Sequence, residues 1–311
     1  MIDVSPKFNT LRYAKAQGIL KASPEIIKRI ADKSVPKGDV YQVARAAGIN
    51  AAKNAASWIT FCHTLPLDWV GIDFDFHNDH IVVSAEVKAV WKTGVEMEAM
   101  TAVSAALLNA YDMLKPLSDD ISFSDVKLVK KKGGKSSFKD EFASPLKIAV
   151  LVLSDSTYEG NREDKSGKII QSYLKEKSLE TEFYEILPDD IQKIKNRLIE
   201  LSDDEKCDLI FTTGGTGFGP KDFTPEATLE VIEKEAPGIV EAIRKHGKER
   251  TPYAMLAREA AGIRGTSVII NLPGSSKGAE ESLQALFPGL LHAFPMLWGG
   301  GHDGNKKWVK K

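Results

Sequence analysis

The sequence predicts two domains of different fold class, an α+β domain followed by an α/β domain with a doubly wound, mostly parallel sheet. The chain has 311 residues, which exceeds the length over which a single hydrophobic core usually grows. Residues 129–147 are rich in Lys, Gly and Ser and lack apolar periodicity, which is typical of a solvated linker. We place the boundary there and expect domains at residues 1–137 and 147–311, joined by a linker at 138–146.

The first domain mixes helices with strands that are joined by hairpins. Helical periodicity and strand-like alternation mark its elements. We expect helices at residues 24–33, 38–59 and 97–115, and strands at 69–76, 81–90 and 126–129. This order favours one sheet with helices on a single face.

The second domain alternates strands with helices. We expect its strands at residues 148–154, 182–187, 208–213 and 267–272. Three of the four are nearly all apolar, which is typical of parallel strands that are covered on both faces. A doubly wound sheet follows, and its ligand site is expected at the carboxyl ends of the strands.

Composition excludes several classes of protein. The 42 Lys and Arg residues nearly balance the 43 Asp and Glu residues, so no overall field attracts nucleic acid or an anionic membrane. Cys62 and Cys207 have neither disulfide-framework nor zinc-type spacing and predict buried thiols in a reducing compartment. No stretch approaches 18 consecutive apolar residues, and the N-terminus lacks the apolar run of a signal peptide. We therefore expect a cytoplasmic protein that binds neither nucleic acid nor membrane.

A glycine-rich loop follows the third strand of the second domain, at residues 212–227. Gly214, Gly215 and Gly217 leave backbone amides bare and permit positive φ, which a loop needs in order to wrap phosphate oxygens. The loop is not a P-loop, because GxxxxGK[ST] is absent. It predicts a site for a nucleotide or a pterin phosphate.

Two carboxylates stand beside this loop. Asp222 precedes Thr224, a possible helix cap, and Pro225, so it is either a turn residue or a carboxylate that holds Mg²⁺ near phosphate. Asp189 follows the second strand and is either a helix cap or a second carboxylate on the same rim. Spacing alone leaves both alternatives open for each residue.

The second domain resembles the molybdopterin-binding family that contains MogA, MoaB and the gephyrin G domain. The resemblance covers residues 145–302 and rests on GlyGlyThrGly-x4-Asp-x-ThrProGlu, AlaGlyIleArgGly and AsnLeuProGlySer. Ala257 and Ser276 depart from the family's usual Ser and Pro. The resemblance implies transfer of AMP from Mg-ATP to molybdopterin, with Asp189 and Asp222 as the functional carboxylates and Asp222 as the Mg²⁺ ligand. The implied substrate-binding residues are Gly214, Gly215, Thr216, Gly217, Pro273, Gly274 and Ser275.

The predicted helix at 97–115 combines an apolar face with charged residues. At about 100° per residue, one arc is expected to face the core. It contains Met97, Met100, Val103, Leu107, Leu108, Tyr111 and Leu114. Asp112 and Lys115 lie at its edge and Glu98 near the same stripe. One interpretation is that Asp112 and Lys115 form a solvated ion pair. The other is that the three residues are acid and base groups with shifted pKa values.

Three further residues of the first domain carry polar chemistry. Lys37 precedes Gly38 and Asp39, a sound N-cap, and is either an anion-binding cation or a solvated one. His63 follows the Ala-rich helix and is either a structural residue or a cation at the helix terminus. Neighbouring side chains point apart, so a nucleophilic pair with Cys62 is disfavoured. His77 and His80 indicate a hairpin loop. A metal site at this loop is poorly supported, because no third ligand lies nearby in the sequence.

The first domain resembles the cyclic pyranopterin monophosphate synthase family, MoaC, over residues 1–137. Six motifs match in order, at residues 2–5, 37–40, 62–65, 92–99, 111–115 and 133–136. Thr64 replaces the family's Pro. The resemblance implies a ferredoxin-like fold, a hexamer with active sites between subunits, and conversion of 3′,8-cyclised dihydro-GTP into cyclic pyranopterin monophosphate and pyrophosphate. The implied functional residues are Lys37, His63, Glu98, Asp112 and Lys115, and the implied substrate-binding residues are Cys62, Glu96, Met97 and Lys135.

Together the two resemblances predict a bifunctional enzyme of molybdenum cofactor synthesis. Its expected partners are a pterin precursor and a nucleotide, with no tightly bound cofactor and with Mg-ATP as a substrate of the second domain. We expect a homo-oligomer, with a hexamer favoured and a trimer as the alternative. Two other functions stay open: an active synthase fused to a noncatalytic pterin-binding scaffold, and an unrelated nucleotide-binding protein.

Overall fold

The chain forms two compact units, Met1–Phe138 and Lys139–Lys311. A computed structural model describes residues 1–134, 137–138, 140–299 and 308–310. The predicted substrate-binding residue Lys135 lies outside the described residues. Each unit has hydrophobic clusters of its own.

The first unit contains one antiparallel sheet. Its strands are β1 (Thr10–Lys21), β2 (Trp69–Phe76), β3 (His80–Trp91) and β4 (Ser122–Lys132), in the order β2-β3-β1-β4. Its helices are α1 (Pro24–Ala31), α2 (Val40–Lys53), α3 (Ala55–Trp58) and α4 (Glu96–Leu114). The core lies between this sheet and the helices, which fits the predicted α+β class.

The central strand β1 is absent from the sequence prediction. Its buried positions include Ala14, Ala16 and Gly18, which are small and give little hydrophobic signal. A Cβ on Gly18 would lie 2.6 Å from a methyl carbon of Leu107. The small residues therefore allow α4 to pack closely on the sheet, and the same property hides the strand in the sequence.

The predicted helix at 38–59 is interrupted. α2 ends at Lys53, and Asn54 donates from its side chain to the carbonyl of Asn50 at 2.8 Å before α3 begins. Within α2, a Cβ on Gly48 would lie 2.8 Å from the carbonyl oxygen of Ala102. The Ala-rich and Gly-containing face thus lets α2 approach α4 closely.

The predicted core face of α4 is partly wrong. Met97 is 39% exposed and Leu108 is 52% exposed. The buried positions are Glu98, Ala99, Thr101, Ala102, Val103, Ala105, Ala106, Leu107, Ala110, Met113 and Leu114. Alanines fill most of the contact because α2 lies so near, and two larger apolar side chains are left on the surface.

The stretch at 129–147 is not solvated throughout. β4 continues to Lys132, three residues past the predicted strand end. Phe142 packs edge-on against Phe294 and Trp298, with ring centroids 6.1 and 5.7 Å apart. The linker interpretation is therefore wrong for residues 130–132, which are exposed but belong to β4. It is also wrong for Phe142, which belongs to the packing of the second unit.

The second unit contains a mixed six-stranded sheet. Its strands are β5 (Ile148–Leu153), β6 (Thr181–Leu187), β7 (Leu209–Thr213), β8 (Lys234–Glu235), β9 (Ala261–Arg264) and β10 (Ser267–Leu272). The order is β6-β5-β7-β10-β9-β8; the first four strands are parallel, β9 runs antiparallel to β10, and β8 runs antiparallel to β9. The strands β9 and β8, which are short and lie at one side of the sheet, were not predicted.

Helices cover both faces of this sheet. They are α5 (Asp155–Tyr158), α6 (Ser166–Glu176), α7 (Ile191–Asp203), α8 (Thr224–Val231), α9 (Pro237–Lys248), α10 (Ser276–Leu286) and α11 (Ala293–Leu297), with 3-10 turns at Pro252–Leu256 and Gly289–His292. Residues of α6, α9 and α10 share one apolar cluster, and those of α7 and α8 share another. The doubly wound α/β prediction is confirmed in this form. Within the described part of the chain, no helix is both long and apolar enough to cross a membrane.

Candidate functional sites

A cleft of about 380 Å³ lies at the carboxyl ends of the parallel strands in the second unit. This is the edge at which a doubly wound sheet holds its ligand. Six of the predicted site residues line the cleft: Asp189, Gly214, Gly215, Asp222, Gly274 and Ser275. Thr216, Gly217 and Pro273 are not among the described residues that line it.

The glycine loop uses the backbone freedom of two of its three predicted glycines. Gly214 and Gly215 have φ angles of 103° and 62°, whereas Gly217 has no positive φ. A Cβ on Gly214 would lie 2.2 Å from the carbonyl oxygen of Leu153. Thr224 does not cap a helix; it donates from its hydroxyl to the carbonyl of Gly214 at 2.9 Å. The loop therefore passes close to β5 with its backbone exposed to the cleft.

Arg258 holds the loop from behind, a role that the sequence did not reveal. Its Nε donates to the carbonyl of Gly217 at 2.7 Å, and its Nη2 donates to the carbonyl of Asp222 at 2.5 Å. Nη1 pairs with Glu226. One planar guanidinium thus fixes two loop carbonyls and a carboxylate, which suits its fork geometry.

The two predicted carboxylates are each fixed by backbone amides. Asp222 accepts from the amide of Gly219 at 2.6 Å. Asp189 accepts from the amide of Asp155 at 2.9 Å, and Asp155 accepts from the amide of Asp189 at 3.0 Å. Lys221 pairs with Asp155 at 2.6 Å. Burial, and then the nearby charges of Asp155 and Asp222, raise the pKa of Asp189, whereas its hydrogen bond from the Asp155 amide opposes the rise.

The residues of this cleft fit a phosphate ligand with a divalent cation. Asp189 and Asp222 both face it, and Mg²⁺ is usually held by one or two carboxylates together with substrate phosphates and water. No group of three or more His, Cys, Asp or Glu that could hold a metal is found among the described residues. Arg162 and Lys165 add positive charge to the same cleft.

In the first unit, Asp112 lies between two lysines. Its Oδ1 is 2.7 Å from Nζ of Lys115, and its Oδ2 is 2.9 Å from Nζ of Lys37. Lys37 also donates to the Asp112 carbonyl at 2.8 Å. The hydrogen bonds from Lys115 and Lys37 lower the pKa of Asp112 to about 2. The sequence predicted the pairing of Asp112 with Lys115, and the contact with Lys37 is new.

Near the other end of α4, Cys62 contacts a buried carboxylate. Its Sγ donates to Oε1 of Glu98 at 3.5 Å, while Oε2 of Glu98 has no hydrogen-bond partner among the described residues. Burial raises the pKa of Glu98, and burial with the nearby Glu98 charge raises the pKa of Cys62 to about 11. Cys62 is only partly buried, which corrects the expectation of two buried thiols.

His63 lines an open groove of about 630 Å³ together with residues 1–5. Of the other predicted substrate-binding residues, Glu96 pairs with Lys131 at 3.5 Å, and Met97 is exposed. Arg12 of β1, which the sequence analysis missed, is buried and donates to the carbonyls of Trp91 and Lys92, just before α4. Its signal in the sequence is weak because β1 itself was not predicted.

One copy of the chain does not bring the predicted synthase residues together. Glu98 and Asp112 are fourteen positions apart on α4, which corresponds to about 21 Å along a helix. Lys37 and Lys115 lie with Asp112, whereas Cys62 lies with Glu98. These residues therefore form two separate clusters in the unit.

The hairpin between β2 and β3 carries two histidines. The rings of His77 and His80 stack with centroids 4.3 Å apart. His77 lies 3.2 Å from Asp75, and His80 lies 2.7 Å from Asp79. The hairpin prediction is confirmed.

The fold and the two sets of residues define the class: a doubly wound α/β unit, with a glycine loop and two carboxylates in its cleft, that follows an α+β unit with clustered lysines and acids. The MoaC family model matches residues 1–134, and the model described as a probable molybdopterin binding domain matches residues 149–292. The chain is 39% identical, over 97% of its length and 96% of the relative's, to the molybdenum cofactor biosynthesis bifunctional protein of Chlorobaculum tepidum. This chain belongs to that family of bifunctional proteins.

Each half also has single-domain relatives. The cyclic pyranopterin monophosphate synthase of Syntrophomonas wolfei is 48% identical over 44% of this chain and 88% of the relative. The molybdopterin adenylyltransferase of Helicobacter pylori is 43% identical over 52% of this chain and 94% of the relative. The resemblances inferred from the motifs are confirmed by these comparisons.

Proposed function

We propose that this chain catalyses two separate reactions of molybdenum cofactor synthesis. Its first unit converts 3′,8-cyclised dihydro-GTP into cyclic pyranopterin monophosphate and pyrophosphate, and its second unit transfers AMP from Mg-ATP to molybdopterin. The observation that carries the proposal is the cleft in which Asp189 and Asp222 face the glycine loop. The names of the relatives at both halves support the same pair of reactions.

In the second unit, the exposed backbone of the glycine loop holds the ATP phosphates. Asp189 and Asp222 would hold Mg²⁺, which neutralises phosphate charge when it is bound. A phosphate oxygen of molybdopterin attacks the α-phosphorus of ATP, the bond from that phosphorus to the bridging oxygen breaks, and pyrophosphate leaves with the bonding electrons. Because such transfers depend on alignment and charge neutralisation, carboxylates and loop amides that are fixed in advance suit them.

Formation of adenylylated molybdopterin tests the proposed reaction of the second unit. The full chain, given molybdopterin and Mg-ATP, should form this product, and Asp222→Asn should reduce its formation by on the order of 10²-fold. Asp203→Asn is the matched control, because Asp203 pairs with Arg264 away from the cleft. No product from the unmodified chain would leave this unit as a noncatalytic pterin-binding module.

In the first unit, Lys37 and Lys115 bind the triphosphate of the substrate. Asp112, whose pKa of about 2 keeps it ionised at neutral pH, holds both lysines in place, and its hydrogen bond raises the pKa of Lys115. Burial raises the pKa of Glu98, which suits this carboxyl to exchange protons with the substrate. His63 lines the groove beside residues 1–5 and contributes an imidazole as a second proton carrier.

A complete synthase site then requires a second copy of the chain. The half-site with Lys37, Asp112 and Lys115 from one copy faces the half-site with His63 and Glu98 from another. The exposed apolar side chains of Met97 and Leu108 on α4 support such an interface. The antiparallel order β2-β3-β1-β4 supports a ferredoxin-like fold, and a hexamer is the assembly we favour over a trimer.

Pyrophosphate release from the cyclised substrate tests the synthase. Lys115→Ala should abolish it without unfolding the unit. Lys33→Ala is the matched control, because Lys33 is also exposed and paired with a carboxylate, Asp39, at 3.1 Å. Undiminished release by Lys115→Ala would remove Lys115 from the mechanism.

The cytoplasm is the compartment that we propose for both reactions. Cys62 and Cys207 are both free thiols, as is usual for proteins of a reducing compartment. Measurement of the enzyme in fractionated cells tests this location.

A further inference from the structure

A second cavity, of about 160 Å³, adjoins the cleft in the second unit. Its walls come from α9, from the 3-10 turn Pro252–Leu256 and from the start of α10. Ser275 lines both this cavity and the cleft, and Pro273 lines the cavity beside it. A ligand that passes Ser275 can therefore occupy both spaces.

This cavity has a buried carboxylate in its wall. The Glu259 side chain is 2% exposed, and its Oε2 has no hydrogen-bond partner among the described residues. Nε of Arg244 lies 3.5 Å from this oxygen, and Nη2 of Arg244 donates to the Glu259 carbonyl at 3.3 Å. Oε2 of Glu259 thus has only the long ion pair with Arg244, and a buried carboxylate oxygen without a full hydrogen bond is costly. A ligand that supplies N–H donors to this oxygen would therefore bind favourably.

The chemistry of the pair selects the ligand. A carboxylate accepts two parallel hydrogen bonds, and a guanidinium only donates them. The aminopyrimidinone edge of a pterin offers two neighbouring N–H donors, from its amino group and its ring N3, followed by a carbonyl acceptor. Adenine offers an amino donor next to a ring acceptor, so it matches a carboxylate poorly.

The size of the cavity agrees with this choice. Pockets for whole drug-sized ligands usually measure about 300–1,000 Å³, so a cavity of about 160 Å³ suits a flat ring system and not an entire nucleotide. The phosphate-bearing side chain would extend past Ser275 toward Asp189 and Asp222. That path brings the molybdopterin phosphate to the ATP phosphates.

We propose that Glu259 and Arg244 recognise the aminopyrimidinone edge of the pterin and so determine the substrate specificity of the second unit. This inference rests on the proposed adenylyl transfer, because it assigns a place to the acceptor of that reaction. Glu259 is a specificity-determining residue here and takes no part in the transfer of AMP itself.

Direct binding to the full chain tests the inference without turnover. The probes are 6-hydroxymethylpterin, which has an amino group at position 2, and 6-hydroxymethyllumazine, which has a carbonyl group there. Binding of each probe is measured by its fluorescence. The unmodified chain should bind the pterin at least about tenfold more tightly, and Glu259→Gln should remove that preference. Equal affinities in the unmodified chain, or a preference that survives Glu259→Gln, would overturn the proposal.

Two further variants separate recognition from general damage. Arg244→Gln, at a half-exposed position, should also weaken pterin binding, by about tenfold. This variant tests the proposal if Glu259→Gln fails to fold. Glu241→Gln, on the exposed face of α9, should leave pterin binding unchanged. An equal loss in Glu241→Gln would contradict the assignment.

The binding of Mg-ATP distinguishes this inference from the proposed reaction. Glu259→Gln should keep the affinity of the unmodified chain for Mg-ATP while it loses pterin selectivity. Pterin selectivity that depends on Glu259 in a chain without adenylyl transfer would uphold the inference and refute the reaction. Adenylyl transfer with a KM for molybdopterin that Glu259→Gln does not change would uphold the reaction and refute the inference.

Discussion

Asp155 and Asp189 exchange hydrogen bonds, the backbone amide of each donating to the carboxylate of the other at 2.9 and 3.0 Å. Because each carboxylate is held by the backbone of its partner, the Asp189 side chain is oriented before any ligand arrives. Lys221 pairs with the second oxygen of Asp155 and so balances one of the two charges. The cleft thus presents a preorganised acid next to the glycine loop, as catalysis by positioning requires.

Asp189 and its neighbour Asp190 should separate function from stability. Asp190 caps α7 by accepting from the amides of Gln192 and Lys193 at 2.9 and 3.0 Å. Asp190→Ala should therefore lower the free energy of unfolding by about 1 kcal/mol and leave AMP transfer intact. Asp189→Asn should lower AMP transfer by on the order of 10²-fold with little loss of stability. Urea unfolding and product formation measure the two effects, and the opposite pattern would refute both roles.

The ionisation of Asp112 should depend on its two lysines. The pKa of Asp112 is about 2 in the folded chain, against an ordinary value of about 3.9. Its carboxylate therefore stabilises the fold at pH values above about 3.9. That contribution is lost as the pH falls from about 4 through 2. Carboxyl NMR titration should show the low pKa, and Lys115→Met should move it upward. A pKa that does not change in Lys115→Met would mean that the pair does not form in solution.

Cys62 should react slowly with alkylating agents at neutral pH. Its pKa of about 11 leaves little thiolate, which is the reactive form. Glu98→Gln removes a nearby negative charge that raises this pKa, so alkylation by iodoacetamide should become faster, as followed by mass spectrometry. Rapid alkylation of the unmodified chain would contradict the contact between Cys62 and Glu98.

The fold could be predicted where the apolar pattern is strong. β2 and β10 have the predicted bounds, because their runs of apolar and β-branched residues are bounded by polar turns. β1 was missed because three of its five buried positions are alanine or glycine and a fourth is Arg12. β8 and β9 are two and four residues long, which is too short for periodicity to show.

The candidate sites could be predicted only in part. Asp189 and Asp222 were found because the carboxyl ends of parallel strands meet at one edge, so position along the chain indicates position in the cleft. Arg258 and Glu259 were not singled out as functional, since their roles depend on partners that are distant in sequence. Lys37 is 75 positions from Asp112, and no local pattern predicts that contact.

Mixed oligomers should show whether the synthase site is shared between copies. Lys115→Ala and Glu98→Gln each damage a different half-site. Chains with either substitution should be inactive alone, and their co-assembly should restore pyrophosphate release, because some interfaces then combine two intact halves. The double variant Lys115→Ala/Glu98→Gln, mixed with itself, is the control. No recovery in verified mixed oligomers would place the site within one copy.

The most direct measurement assays both reactions on the same preparation of the full chain and of two variants. Lys115→Ala should lose pyrophosphate release from cyclised dihydro-GTP and keep adenylylation of molybdopterin, whereas Asp222→Asn should show the reverse. That double dissociation is the result expected of two independent sites on one chain. If either variant folds but loses both reactions, the two sites are not independent. If both variants keep both reactions, neither residue has the proposed role.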